Sequence, residues 1–228
     1  MILAVTLARG GSKSIPKKNI ALINGKPLLC YTIDAARKSR KIDKHIINTD
    51  CAEIAAVAEE YGAEVQFGRP EELSTDSAPS GATLEYVVRR YEEENNVEVD
   101  TVVELMATNP LKNEVDIDCC IEMLQEKKAD SVIAMGCLYD HHPSRIKYLD
   151  ENGVIRDFYP EVPESRRQDL TPKAFIRAGS IYVMTTQQLQ TGLRYGGDKS
   201  FGYILPDERF LNIDEPRDLL VAQELIKG

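Results

Sequence analysis

"ILAVTLARGGSKSIPKKN", residues Ile2 to Asn19, joins an apolar run to a basic loop. The run Ile2 to Leu7 has the composition of a buried β-strand. The loop behind it contains two adjacent glycines, no acidic residue, and four cations at positions 9, 13, 17 and 18. In parallel α/β sheets ligands bind beyond the carboxyl ends of the strands. The position of this loop therefore predicts a site for an anionic ligand.

Strand-like and helix-like segments alternate along the rest of the chain. We predict strands at 2–7, 45–49, 63–67, 101–107 and 131–138, and helices at 27–40, 52–62, 81–95 and 114–128. Later strands are expected at 176–185 and 201–205, before a last helix at 215–227. Strands separated by helix-length segments are typical of right-handed crossovers and a mostly parallel sheet. We expect an α/β fold with three layers, α/β/α, around a Rossmann-like sheet.

The alternation breaks between residues 139 and 175. Two short apolar segments, 145–149 and 154–158, flank an Asp-Glu-Asn-Gly turn, which predicts an antiparallel hairpin. An insertion of this kind is either a lid over a site or an arm that packs on another subunit. We expect residues 1–228 to form a single domain that carries this segment as an inserted arm.

The composition excludes several classes of partner. The chain has 228 residues, with 28 Lys plus Arg against 37 Asp plus Glu, for a net charge of -9. This charge disfavours nucleic acid and anionic membrane surfaces. No apolar stretch reaches the length of a membrane span. The five cysteines form no C-x-x-C pair, which favours reduced thiols in a cytoplasmic protein.

The glycines of the basic loop do not form either of the familiar nucleotide-binding motifs. A G-x-x-x-x-G-K-[ST] loop would need glycine at Ile15 or Pro16, and G-x-G-x-x-G fails at Ser12 and Ile15. A phosphate cradle built from backbone N–H groups, a hydroxyl and cations is still possible. The alternative is a solvated basic loop whose glycines only make a turn.

Several motifs in series resemble one enzyme family. They are "LARGGSKSIPKKNI" from Leu7, "INGKPLLCYTI" from Ile23, "NTD" from Asn48, "RPEELSTD" from Arg69, "DHHP" from Asp140, "RRQDL" from Arg166 and "NIDEPRDL" from Asn212. Together they resemble the acylneuraminate cytidylyltransferases, or CMP-sialic acid synthetases. The resemblance implies a fold of the nucleotide-diphospho-sugar transferase type and a homodimer joined by the arm. It also implies transfer of CMP from CTP to the anomeric hydroxyl of an acidic, sialic-acid-like sugar.

The resemblance also implies roles for individual residues. Phosphoryl transfer needs positioned cations, because negative charge surrounds the phosphorus atom. The implied nucleotide-binding residues are Gly10, Gly11, Ser12, Lys13, Asn19, Arg69 and Ser80. Arg9, Lys18 and Asp214 are the implied catalytic residues.

A metal and an acceptor sugar complete the implied site. Relatives hold Mg²⁺ with a D-x-D motif, and Asn212 and Asp214 occupy those positions here, so we expect Mg²⁺ or Mn²⁺. Without the resemblance, Asp214 could instead be the N-cap of the last helix.

The sugar side departs from the family pattern. Met106, Lys112 and Ala178 stand where relatives have Gln, Arg and Asn, which removes polar groups that would bind a sugar. The candidate acceptor-binding residues are Met106, Thr108, Arg167 and Arg177. These departures leave two alternatives: a different acidic acceptor, such as 3-deoxy-manno-octulosonate or a phosphonate, or a non-catalytic nucleotide-binding relative.

Overall fold

The computed structural model describes residues 1–12, 14–65, 68, 70–73, 75, 78–159 and 166–226. Its strands, in chain order, are β1 (Ile2–Leu7), β2 (Leu22–Ile23), β3 (Lys26–Pro27), β4 (Lys44–Asn48), β5 (Thr101–Leu105), β6 (Ser131–Leu138), β7 (Lys147–Leu149), β8 (Ile155–Asp157), β9 (Ala174–Thr185) and β10 (Ser200–Ile204). Its α-helices are α1 (Leu28–Lys38), α2 (Ala52–Glu60), α3 (Ser80–Asn95), α4 (Glu114–Lys127), α5 (Thr186–Gln190) and α6 (Pro216–Leu225).

Six strands form the central sheet, in the order β10-β6-β9-β5-β1-β4. Strand β1 pairs in parallel with β4 and β5, and β10 pairs in parallel with β6. Strand β9 is antiparallel to both of its neighbours, β5 and β6. The expected mostly parallel sheet is confirmed, and β9 is its one reversed strand among the described residues.

Helices cover both faces of this sheet. On one face, apolar residues of α1 and α4 pack on side chains such as Ala4, Val103 and Val183. On the other face, α3 packs on Leu3, Val5 and Val102, which alternate with the first set along their strands. Alternate residues of a strand point to opposite faces, so both faces of an apolar run become buried. The expected three-layer architecture is therefore confirmed.

Polar residues fix the starts of helices α4 and α6. Asn113 caps α4: its side chain accepts a hydrogen bond from the Asp116 N–H, and Asp116 accepts one from the Asn113 N–H. Glu215 is the N-cap of α6, and Pro216 is its first residue.

Some segments differ from their prediction. The strand expected at 63–67 is only a single parallel bridge between Glu64 and Ile46, and residues 66–67 lie outside the described part. The short pair β2–β3 and helix α5 were not expected, because each is too brief to show a period. The hairpin in the inserted arm is confirmed as β7–β8, a separate two-stranded sheet. Within the described residues, no helix has the length and apolar character needed to cross a membrane.

Candidate active site

The loop after β1 is fixed by hydrogen bonds from its own and neighbouring segments. The Gly10 N–H donates to Asp50 Oδ1 at 2.7 Å, just beyond the end of β4. Inside the loop, the Asn19 side-chain amide donates to the Arg9 carbonyl at 2.9 Å. These bonds hold the loop residues in place without using their cationic groups.

The loop backbone needs glycine at position 10. A Cβ on Gly10 would lie 2.9 Å from the Cβ of Cys51, closer than packed carbon atoms approach. A Cβ on Gly11 would meet no atom within 4 Å, and Gly11 lines the adjacent cavity. Gly10 therefore serves the packing of the loop, whereas Gly11 leaves its backbone open to a ligand.

A cavity of about 350 Å³ lies at the carboxyl ends of β1 and β5. One of its walls is the basic loop, and the facing wall comes from β5, β9 and the segment before α6. The predicted site residues that line it are Arg9, Gly11, Ser12, Lys18, Asn19, Ser80, Met106, Thr108, Asn212 and Asp214. The structure thus brings together residues that lie about 200 positions apart in the chain.

Lys18 links the two walls of this cavity. Its ammonium donates to Asp214 Oδ1 at 3.0 Å and to the Ile213 carbonyl at 2.9 Å. The Lys18 side chain is only 15% exposed, so its charge sits at the inner edge of the cavity. A fixed ammonium beside an open cavity is suited to binding a phosphate.

Asp214 is not a helix cap. The N-cap of α6 is Glu215, and the Asp218 carboxylate accepts hydrogen bonds from the N–H groups of both Asp214 and Glu215. The Asp214 carboxylate is 63% exposed and contacts Lys18 and Asn212. The capping alternative for Asp214 is therefore wrong, and its carboxylate faces the cavity.

Asn212 lies against Asp214 and Gly179. Its amide nitrogen donates to Asp214 Oδ2 at 2.5 Å, and its amide oxygen is buried without a hydrogen-bond partner among the described residues. A Cβ on Gly179, which has a φ of +58°, would lie 3.0 Å from that oxygen. In this arrangement Asn212 offers a donor to Asp214, and an amide flip would be needed to offer an oxygen to a metal.

The donor set suits a metal ion that arrives with a phosphate. Among the described residues no group of three or more His, Cys, Asp or Glu side chains converges on one point. Mg²⁺ commonly binds one or two protein carboxylates together with substrate phosphates and water. A single exposed carboxylate, Asp214, beside a cavity with room for a chain of phosphates fits that mode of binding.

Other residues of the predicted site lie elsewhere. Lys17 of the basic loop pairs with Glu53 on α2, at 2.5 Å and on the surface, so it does not add charge to the cavity. Arg167 lies in the inserted arm, where it stacks on Tyr139 and approaches Asp140. Gly10 and Arg177 also do not line the cavity. Lys13 and Arg69 lie outside the described residues.

The sugar-side departures do not all face the cavity. Ala178 is fully buried in the core, and Lys112 is 3% exposed. Neither side chain lines the cavity, so the expectation that both changes remove sugar contacts stays a prediction. Of the changed residues, Met106 lines the cavity, and Thr108 joins it there.

A buried ion pair at the cavity wall was not predicted from the sequence. Glu104 lines the cavity, is 1% exposed, and its Oε2 lies 2.5 Å from Nη1 of Arg194. The Arg194 guanidinium also stacks 4.5 Å above the ring of Tyr182 on β9. A single carboxylate inside the apolar strand "TVVEL" was the available signal, because a buried charge requires a partner.

Comparisons with known proteins give one family. Residues 3–170 match the family model described as Cytidylyltransferase. Pseudaminic acid cytidylyltransferase of Campylobacter jejuni subsp. jejuni serotype O:23/36 (strain 81-176) is 34% identical over 226 residues, covering 99% of this chain and 96% of that protein. N-acylneuraminate cytidylyltransferase of Escherichia coli O18:K1:H7 (strain RS218 / NMEC) is 30% identical over 223 residues, covering 97% of this chain and 51% of that protein.

A solved structure supports the fold. CMP:2-keto-3-deoxy-manno-octonic acid synthetase complexed with CTP matches with a TM-score of 0.71 and 16% identity, covering 99% of this chain and 98% of that one. At this identity the likeness speaks for the architecture alone. The fold is of the nucleotide-diphospho-sugar transferase type, as expected.

Proposed function

Because this chain belongs to the cytidylyltransferase family and is a nucleotidyltransferase enzyme, we propose that it transfers CMP from CTP to an acidic nonulosonic sugar. The anomeric hydroxyl oxygen of the 2-keto acid forms a bond to the α-phosphorus, and the bond from that phosphorus to pyrophosphate breaks. The hydroxyl proton is released to solvent water in the same reaction. The main support for this proposal is the cavity, which is lined by Arg9, Lys18 and Asp214 and in which Lys18 contacts Asp214.

The basic loop binds the triphosphate in this proposal. Arg9 and Lys18 stabilise the negative charge that spreads over the phosphoryl oxygens in the transition state. In this proposal Ser12 and the Gly11 backbone add hydrogen bonds to the phosphates, and Ser80, which lines the cavity at the start of α3, contacts the nucleoside. Lys18 is held by Asp214 and the Ile213 carbonyl, so its ammonium is oriented before the substrate binds.

Asp214 would hold a divalent ion, Mg²⁺ or Mn²⁺, together with the phosphates. When bound, the ion supplies positive charge that makes the α-phosphorus more open to attack and the pyrophosphate a better leaving group. Asn212 orients Asp214 through its amide nitrogen.

The acceptor lies on the facing wall, at Met106, Thr108 and Gly179. The names of the relatives place pseudaminic acid and N-acylneuraminate among the acids that this family uses, and both are nonulosonic acids. Met106 offers an apolar contact, so the part of the acceptor against it is expected to be an apolar group such as a methyl.

The test is a pyrophosphate-release assay. CTP, UTP, ATP and GTP are each incubated with Mg²⁺ or Mn²⁺ and a panel of nonulosonic acids, 3-deoxy-manno-octulosonate and a phosphonate. We expect release only with CTP and a nonulosonic acid together. If, with CTP, pyrophosphate is released with 3-deoxy-manno-octulosonate or the phosphonate but with no nonulosonic acid, that compound is the acceptor. CTP-dependent thermal stabilisation without any release would favour a non-catalytic relative.

Asn212→Asp is expected to lower the Mg²⁺ concentration for half-maximal velocity about tenfold, because a second carboxylate joins Asp214 at the ion. Without metal the same variant should melt at a lower temperature, since two carboxylates then repel each other. Titrations of velocity and of melting temperature with Mg²⁺ measure both effects. Asn212→Ala is the control, and an Asp variant with an unchanged Mg²⁺ requirement would show that this position does not face the ion.

We also propose that two copies of the chain associate through the inserted arm. Its hairpin exposes apolar side chains that a monomer would leave in water, namely Tyr148, Leu149, Val154, Ile155, Phe158 and Tyr159. Apolar surface of this kind favours a protein partner, and the sheet supplies no cover for it within the described residues.

Ile155→Asp is expected to convert the dimer to a monomer, because it places a charge in the centre of the apolar surface. Light scattering after size exclusion measures the mass. Leu220→Asp, at an equally exposed leucine on α6, is the matched control and should stay dimeric. A wild-type protein that is already monomeric would refute the arm as an interface.

We also propose that the protein is located in the cytoplasm. All five cysteines are free thiols, at positions 30, 51, 119, 120 and 137. Unpaired thiols are typical of proteins in a reducing compartment.

A further inference from the structure

Lys112 is a buried ammonium behind the wall on which the acceptor is expected to lie. Its Nζ donates to the Met106 carbonyl at 2.7 Å, to the Asn109 carbonyl at 2.7 Å and to Thr32 Oγ1 at 2.6 Å. An ammonium has three N–H donors, so each of them has a partner here. Thr32 belongs to α1, and the two carbonyls belong to the loop after β5.

The same loop carries residues that line the cavity. Met106 and Thr108 face the cavity, whereas the carbonyls of Met106 and Asn109 turn inward to Lys112. The Asn109 side chain adds bonds to the N–H groups of Leu111 and Lys112. The Lys112 ammonium therefore bonds to both ends of the turn 106–109 and connects this turn to α1 through Thr32.

The charge of Lys112 is not balanced by a contacting carboxylate. No carboxylate of the described residues lies within ion-pair distance of its Nζ. The nearest acid on α4, Asp116, is bound instead by Arg209, with Oδ2 at 2.8 Å from Nε. Burial lowers the pKa of Lys112 to about 7, and the negative charge of Asp116 opposes this shift.

Among the described residues, His45 on β4 is a titratable group whose pKa responds to the charge of Lys112. Burial, and then the positive charge of Lys112, lower the pKa of His45 to about 3. The ring is therefore neutral, and its Nε2 lies 2.9 Å from Thr6 Oγ1. The pKa of Lys112, unlike that of His45, lies near neutral pH, so Lys112 is the group of this pair whose charge changes there.

We propose that Lys112 is a positioning residue for the acceptor, because its three hydrogen bonds hold Met106 and Thr108 at the cavity wall. The inference rests on the proposed transfer to an acidic acceptor. A neutral amine keeps two N–H donors for the carbonyls of Met106 and Asn109, but without the positive charge these hydrogen bonds are weaker. Met106 and Thr108 are then held less firmly at the cavity wall. Acceptor binding weakens, whereas CTP binding does not change.

Lys112→Arg is the most informative variant, because a guanidinium stays charged over the whole pH range tested. At saturating CTP, kcat/KM for the acceptor should fall about fivefold in the wild type between about pH 6 and about pH 9. The profile of Lys112→Arg should lack this fall. An identical fall in both proteins would overturn the proposal.

Lys112→Met serves if the arginine variant does not fold. It removes all three hydrogen bonds, and we expect KM for the acceptor to rise at least about tenfold while the dissociation constant of CTP stays unchanged. Equal weakening of CTP and acceptor, or an unchanged acceptor KM, would contradict a role specific to the acceptor wall.

The stability of the folded protein is expected to change with pH in the opposite direction to acceptor binding. The folded pKa of about 7 lies below the value of 10.5 for an unperturbed lysine, so the unfolded chain binds more protons between these values. Relative to Lys112→Arg, the wild type should therefore become more stable as the pH rises above 7. Acceptor binding should weaken over the same range, and a purely structural role would make stability and activity move together.

Hydrogen exchange separates this inference from the proposed function. If no acid yields pyrophosphate with the wild type, the proposed function fails. Exchange of the amides at 106–112 can still be compared between about pH 7 and about pH 9, after correction for intrinsic rates. Faster corrected exchange at the higher pH in the wild type alone would support a role of Lys112 in holding residues 106–109. The same change of exchange rate in the wild type and in Lys112→Arg would overturn it.

Discussion

Lys18→Gln is expected to lower kcat about 100- to 1,000-fold, because it removes a fixed cation from the phosphate cavity. The Lys18 ammonium is oriented by Asp214 and by the Ile213 carbonyl at the inner edge of the cavity. An amide of similar length can still accept and donate hydrogen bonds, but it cannot neutralise charge that develops on the phosphoryl oxygens. Single-turnover rates of pyrophosphate release measure the effect.

The neighbouring residue provides the matched control for this experiment. Lys17 pairs with Glu53 on the surface, so Lys17→Gln should keep nearly the wild-type rate. The Lys18–Asp214 pair has a partly exposed partner, and such pairs contribute at most about 1 kcal/mol to stability. Equal losses of rate in the two variants, or a drop in stability large enough to explain the loss in Lys18→Gln, would remove Lys18 from the catalytic residues.

Arg194→Met is expected to destabilise the folded protein by about 3 kcal/mol, because it leaves the Glu104 carboxylate buried without its cation. Glu104 is 1% exposed and Arg194 is 19% exposed, so water can replace little of the lost interaction. The variant also removes the guanidinium that stacks on Tyr182. Urea unfolding followed by circular dichroism gives the free energy.

A double-mutant cycle identifies the cause of this loss. Arg194→Met combined with Glu104→Leu removes both charges, and most of the stability should return because an apolar pair can replace a buried ion pair. Arg156→Met is the comparison, since its pair with Asp150 is exposed and should cost less than about 1 kcal/mol. A loss in Arg194→Met as small as that in Arg156→Met would show that the buried pair is not a stabilising contact.

Most of the sheet could be predicted from sequence because local composition determines it. Strands β1 and β6 have the predicted bounds, since an uninterrupted apolar run is buried on both faces and ends where polar residues begin. The basic loop was also predictable, because its charge and glycines are consecutive. The strand expected at 63–67 failed because so short a segment depends on a neighbour for its pairing.

The direction in which a side chain points could not be predicted in the same way. Lys112 was expected to bear on the sugar side, yet its ammonium turns into the core, toward Thr32 of a helix 80 residues earlier in the chain. Glu104 and Arg194 lie 90 positions apart, and no local pattern joins them. Lys17 and Lys18 are adjacent and equally charged, but the left-handed backbone at Lys17, with a φ of 51°, helps to send one to the surface and the other to the cavity.

The reversed strand β9 determines the order in which the sheet can be completed during synthesis. Strands β5 and β6 are not neighbours: β9 lies between them and pairs with both. The ribosome releases β6 about 40 residues before β9 is available, so β6 emerges with no partner strand in place. Such an edge must be shielded until residue 185 has been made, because exposed edges recruit other chains. Nascent chains stalled before this point should therefore depend on chaperones, whereas longer chains can join β6 to the rest of the sheet through β9.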